Sequence, residues 1–363
     1  MNVKQIRILM RRAYVFTFLF SVMTFAHAQF HFPMKEYTDS LAKLGQEIVD
    51  GRSDFARFEA NEKFKALLLF MLSHENAFQS DFSSVKNLSV LGSDKEKFRI
   101  FTWVVPRTNL TYECFGIVCA WNERRKNYQI TELTDVKKNT LAPEKALFRK
   151  GEWWGALYYE IIPVKSRGRQ YYTLLGWDGN NALTNRKVIE VLSLNPMGQP
   201  VFGATLFWGY GKQLRRIIFE YSDNTQMALR YERQSYIVEK EKKKSKKNKP
   251  VKPPSSRQIN SDGFRAQQKE KDNIKRKRKS DIMIVFDHLS PLNASLIGVY
   301  EFYVPSNIVD GFLYLNDRWN YFHNIDARNP ASPIDKLPQT VKEDGVNVSQ
   351  RKVKTKIPVR LEE

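Results

Sequence analysis

The chain has 363 residues, with 59 Lys and Arg against 39 Asp and Glu, a formal net charge of +20. Two segments carry most of that excess: residues 1–28 hold Lys4, Arg7, Arg11 and Arg12 with no acid, and residues 239–280 hold 17 bases against 5 acids. The rest is nearly balanced, which excludes a nucleic-acid binder with a basic body, and 42% hydrophobic residues exclude a wholly disordered chain.

The basic start, an apolar run from Ala13 to Phe25 and the triplet Ala26-His27-Ala28 are the three parts of a secretory signal peptide, predicted over 1–28. The run is shorter than the ~20 residues a spanning helix needs. Cleavage after Ala28 leaves Gln29 first, with no Cys to carry a lipid. The expected product is exported, periplasmic, outer-membrane associated or secreted, with no transmembrane span in the mature chain.

Residues 29–79 read as a helical segment packing on a larger body. Met34, Tyr37, Leu41, Leu44 and Ile48 recur every three to four residues and Asp50-Gly51 supplies a stop. A second helix starts at Ser53-Asp54 and carries Phe55, Phe58, Phe64, Leu67, Leu68 and Met71 on its expected buried side.

Residues 80–330 read as one β-rich domain. Strands are predicted at 99–105, 111–121, 128–133, 153–162, 170–177, 187–194, 201–208, 214–221 and 226–238, and again from Ile282 and from Gly298. Their short, turn-prone connectors favour antiparallel neighbours. The predicted fold class is mainly β with an N-terminal α-helical pair, an antiparallel meander forming a curved sheet, sandwich or incomplete barrel. Apolar residues at both odd and even positions of 153–162 predict a strand covered on both faces, whereas Arg215-Arg216 predicts a rim. The charged insertion 239–280 lacks apolar periodicity and reads as disordered. Residues 331–363 read as a polar, basic tail.

Several constellations bear on function. Lys275, Arg276, Lys277, Arg278 and Lys279 form a polycation that, in an exported chain, would meet anionic envelope polymers rather than nucleic acid. Trp153, Tyr158, Tyr171 and Trp177 are candidate ligand-facing aromatics, since exposed rings on a sheet form platforms for sugars or partner proteins. Glu152, Glu160, Asp178 and Glu190 supply the carboxylates that a glycosidase would place across a cleft. Cys114 and Cys119 invite a disulfide in an oxidising compartment, but residues five apart on one strand point to opposite faces, so two buried thiols remain an equal alternative. His288 follows Asp287 near a strand end. Neighbouring strand residues diverge, so a backbone-bonded histidine is expected there rather than a catalytic pair. No cofactor motif and no metal-binding spacing is present.

The stretches Tyr171-Tyr172-Thr173-Leu174-Leu175-Gly176-Trp177-Asp178-Gly179-Asn180-Asn181, Arg186 to Leu192, and Phe286-Asp287-His288-Leu289-Ser290-Pro291 resemble exported proteins of unknown function from the Bacteroidota, over roughly Trp153 to Asp326. The resemblance implies a Gram-negative envelope setting and carries no activity or catalytic residues. The expectation is a non-enzymatic envelope binding or structural protein, its partner an anionic polymer or another envelope protein. The alternative is a glycan- or peptide-directed hydrolase using carboxylates on an aromatic sheet face.

Overall fold

The computed structural model describes residues 33–93, 95, 97–241 and 274–325. The expected signal peptide at 1–28, the middle of the basic insertion and the expected tail at 331–363 lie outside these residues.

Helices α1 (Met34–Asp50) and α2 (Asp54–Leu72) follow the predicted periodicity closely. Ser53 caps α2, its Oγ accepting from the Ala56 amide at 3.2 Å and satisfying one of the free N-terminal donors. Leu41, Ile48, Phe64, Leu68 and Met71 are fully buried. Phe55, expected among them, is 79% exposed. At about 100° per residue, nine positions before Phe64 lies half a turn away, on the opposite side of the helix. No helix among the described residues is long and apolar enough to cross a membrane.

The strands are β1 (Ser89–Ser93), β2 (Phe98–Pro106), β3 (Tyr112–Asn122), β4 (Asn127–Asp135), β5 (Glu152–Trp153), β6 (Leu157–Ser166), β7 (Arg169–Asp178), β8 (Thr184–Leu194), β9 (Pro200–Phe202), β10 (Phe207–Trp208), β11 (Ile217–Ser222), β12 (Leu229–Glu241), β13 (Ile274–Pro291), β14 (Tyr303–Leu315) and β15 (Arg318–Phe322). They form three open sheets. The first runs β1-β2-β3-β4-β5. The second runs β11-β8-β7-β6 with β9 beside β8, and the third runs β10-β15-β14-β13-β12. Pairing is antiparallel except at β4–β5 and β10–β15. The predicted meander is present within β1–β4, β6–β9 and β12–β15, stacked rather than continuous, with β11 returning to β8 and β10 to β15 out of chain order.

The stacking follows from which faces are apolar. One face of the first sheet, with Phe101, Trp103 and Ile117, packs on the helices. Its other face, with Phe98, Ile100, Val118 and Ala120, packs on Tyr158, Tyr172, Leu174 and Val188 of the second sheet. The far face of the second sheet, with Ile162, Val164, Leu175 and Ile189, packs on Ile284, Phe286, Phe312 and Trp319 of the third. The order is helices, sheet, sheet, sheet, and the middle sheet is apolar on both faces because both are covered.

Three further sequence expectations are corrected. The strand predicted at 153–162 is two strands in different sheets, parted at Gly155, whose φ of +55° favours a residue without Cβ and where a Cβ would stand 2.2 Å from Asp135 Oδ2. A register shift between Tyr158 and Glu160 then inserts Tyr159 into β6 as an extra residue. Arg216, expected near a rim, is fully buried against Glu190, Nε to Oε2 at 2.6 Å. The basic insertion is paired at both ends, the β12–β13 ladder running out to Glu241↔Ile274 with Glu239 opposite Arg276 in register. A two-stranded ladder needs backbone partners rather than an apolar face, so lost periodicity marks where burial ends, not where pairing ends.

Candidate functional site

Two hairpin tips meet where the second and third sheets join. The β6–β7 turn is Arg167-Gly168, with φ of +48° and +77°, and the β14–β15 turn is Asn316-Asp317, with φ of +51° and +64°. Both are two-residue turns with both central residues left-handed, the form whose twist matches that of antiparallel strands. The Arg167 amide donates to Asp317 Oδ2 at 3.0 Å, and the Tyr314 hydroxyl donates to the Lys165 carbonyl at 2.7 Å. Deeper in, Trp319 Nε1 donates to Thr173 Oγ1 at 2.9 Å, so the two sheets are pinned at this corner.

Beside the tips lies a groove of about 880 Å³. Arg149, Lys150, Arg167, Arg169, Arg215 and Arg318 line it, with Asp317 the one carboxylate. None of the six cations makes an ion pair among the described residues. Arg149, Lys150, Arg167 and Arg169 are exposed, and Arg215 and Arg318 are half-buried. The Arg318 guanidinium sits 4.4 Å from the Trp208 ring centroid, and Trp208 is 59% exposed. Tyr171 lines the same groove.

A second cavity, about 1030 Å³, opens where β4 splays from β3. Most of its charges are paired internally, Lys138 and Glu132 excepted among the described residues. Lys137 Nζ lies 2.7 Å from Asp178 Oδ1 and 3.2 Å from Asp135 Oδ2. Arg186 bonds Glu220 at 2.8 Å, and Arg107 pairs with Glu113. Burial opposes the charge on Lys137, but Cys114, Asp178 and Asp135 outweigh it and raise the ammonium above an ordinary lysine. A ligand entering here would have to displace formed ion pairs, whereas the groove offers cations with none.

The predicted aromatics divide. Trp153 and Tyr158 are fully buried between the first two sheets, edge-on to each other at 5.8 Å, and face no ligand. The turn at Gly155 sends both inward, and Gly116 leaves room for the Trp153 ring, which a Cβ there would meet at 3.1 Å. Trp177 is half-buried against Tyr112 at 5.1 Å. Only Tyr171 reaches the groove. Of the polycation, Lys279 is exposed, while the side chains of Lys275, Arg276, Lys277 and Arg278 lie outside the described residues. Cys114 and Cys119 are free thiols. They sit on opposite faces of β3, in separate cores, and burial pushes both thiols up to about 12. Glu190 is locked in its pair with Arg216, and Glu152, Glu160 and Asp178 do not converge in one cleft: only Asp178 lines the second cavity.

His288 departs from its expected backbone contact. Its Nδ1 lies 2.7 Å from Asp310 Oδ2, and His323 Nδ1 lies 2.8 Å from Asp310 Oδ1. The Tyr321 hydroxyl donates to Oδ2 at 2.7 Å and the Asn324 amide to Oδ1 at 3.0 Å.

No protein-family model matches the chain, and no curated protein or solved structure matches it.

The groove cations are hard to read from sequence as a set because they come from four separate segments. The signal for one of them was present: Ser166-Arg167-Gly168-Arg169 places two arginines around a tight turn between apolar runs. Asp310, an acid inside the apolar run Val309 to Leu313, was equally readable.

Proposed function

We propose that the protein is an exported, non-enzymatic binding protein of a Gram-negative envelope, and that its groove takes an acidic glycan. The convergence of six unpaired cationic side chains with Tyr171 and Trp208 in one concavity carries this reading. Like charges gathered in a groove repel one another and raise the local concentration of anions, so a polyanion relieves strain as it binds. Rings with an apolar face and a polar edge suit sugars. On this reading the folded body, rather than Lys275–Lys279, makes the main polyanion contact. Hydrolysis has less support: Glu190 and Asp178 are paired with Arg216 and Lys137, and Glu152 and Glu160 do not join Asp178 at its cavity.

The test is binding to dextran sulfate and to neutral dextran of equal length at low salt. Wild type binds the sulfated chain and not the neutral one, and the affinity falls as salt rises. The Arg167→Ala/Arg169→Ala/Arg318→Ala variant loses roughly tenfold, at about 0.5 kcal/mol for each cation removed. Unchanged affinity in this variant, or loss of binding on deleting residues 242–273 with the groove intact, would overturn the assignment.

A further inference from the structure

The geometry points to a second site of different chemistry: His288, Asp310 and His323 form a binding site for a divalent transition-metal ion of the zinc type. The three come from adjacent positions of the third sheet. Asp310 stands opposite Phe286 on β13, Gly311 stands opposite Phe322 on β15, and His323 follows directly. His288 lies two residues beyond Phe286, at a bulge where one residue of β13 spans three of β14, between the pairs Asp287↔Val309 and Leu289↔Pro305. Alternation along the three strands therefore brings two imidazoles and one carboxylate to the same face.

Their candidate ligand atoms all lie within 4.8 Å of one another. Zinc–nitrogen and zinc–oxygen bonds near 2.1 Å require ligands no more than about 4 Å apart, so a small rotation of the exposed rings closes the set. Two nitrogens and one oxygen suit zinc or its neighbours rather than calcium or magnesium, which take oxygen. Asp310 is 1% exposed, whereas His288 and His323 are 40% and 54% exposed, so the carboxylate forms a fixed floor and the remaining coordination positions face solvent.

The surroundings supply what a ligating carboxylate needs. The Tyr321 hydroxyl and the Asn324 amide each bond one oxygen and set its orientation. Below, Tyr210 packs on Phe286, Phe312 and Tyr321 at 6.2, 5.6 and 5.0 Å, a rigid aromatic base. No Lys or Arg pairs with Asp310 among the described residues, so its negative charge is available to a cation. Without metal, each imidazole donates from Nδ1 to the carboxylate. On binding, a neutral ring gives its Nδ1 proton to water and takes one at Nε2, offering the Nδ1 lone pair with no net release of a proton.

Titration calorimetry of the tag-free protein with Zn²⁺, and the visible spectrum of the Co²⁺ form, test the site. The expected result is one ion per chain, with a Co²⁺ spectrum of mixed nitrogen and oxygen ligation. The His288→Gln/His323→Gln variant keeps an N–H donor toward Asp310 and so keeps the fold, checked by its unfolding midpoint. Its affinity falls by more than the ~10–100-fold that loss of an outer partner costs, whereas Tyr321→Phe falls within that range. Absence of Zn²⁺ binding by the wild type, or equal affinity in the folded double variant, would overturn the site.

Discussion

Asp178 and Asp310 are both 1% exposed, yet the chain compensates them in different ways. Asp178, at the end of β7, is 2.7 Å from the Lys137 ammonium and 3.6 Å from Arg186. Asp310, on β14 in the next layer, is held by two imidazoles, a phenol and a backbone amide. The first carboxylate is neutralised by permanent cations. The second has its lone pairs met by imidazole, phenol and amide donors, and no Lys or Arg pairs with it among the described residues. A burial pattern alone would class the two together; their partners separate a structural charge from a functional one.

Removing the permanent partner gives the largest contrast. Lys137→Met keeps the length of the stem but leaves Asp178 buried without its nearest cation, and urea unfolding should show a loss of about 3 kcal/mol. A loss below about 1 kcal/mol would mean that Arg186 alone suffices and that the pairing is redundant. Asp310→Asn keeps one acceptor but turns an N–H toward groups that already donate, and should cost about 1–3 kcal/mol by the same measurement.

The smallest effect is the most diagnostic. Burial opposes ionisation of Asp310, but the bonds from Asn324, His288 and Tyr321 outweigh it and hold its carboxyl below the usual range. Its contribution is therefore complete above the unfolded carboxyl value of about 3.9 and is lost as pH falls through the lower folded value. Lys137, raised in the fold, contributes below about 10.4 and loses that contribution as pH climbs through its folded value. Thermal midpoints across pH should show Asp310→Asn flattening the acid limb and Lys137→Met the alkaline limb. The reverse assignment of the limbs would break the comparison.

Much of the fold was readable from local pattern. The helical pair, its Ser53 cap and most strand positions follow from spacing and turn residues, because both report on neighbours close in the chain. The errors arose where a distant contact decided the outcome. Trp153 and Tyr158 look like a platform until Gly155 turns them inward under the first sheet. Arg215 and Arg216 look alike in sequence, yet one lines the groove and the other is buried against Glu190. Both sites were illegible as sets, since a groove gathered from separate hairpins and a cluster on three strands exist only once register is fixed. The repeated arrangement Phe286-x-His288, Asp310-x-Phe312 and Tyr321-x-His323 shows in hindsight how alternation placed a ligand beside an aromatic on each strand.

The layers are laid down almost in chain order, from helices through the first and second sheets to the third. A ribosome or translocon delivering this polypeptide from its amino end would finish each slab before the next emerged. Every stage short of the last would leave a broad greasy plane awaiting its cover. A product ending before β12 would retain Ile162, Val164, Leu175 and Ile189 without the cover of Ile284, Phe286, Phe312 and Trp319, and would be expected to clump rather than persist as a smaller soluble version of the whole.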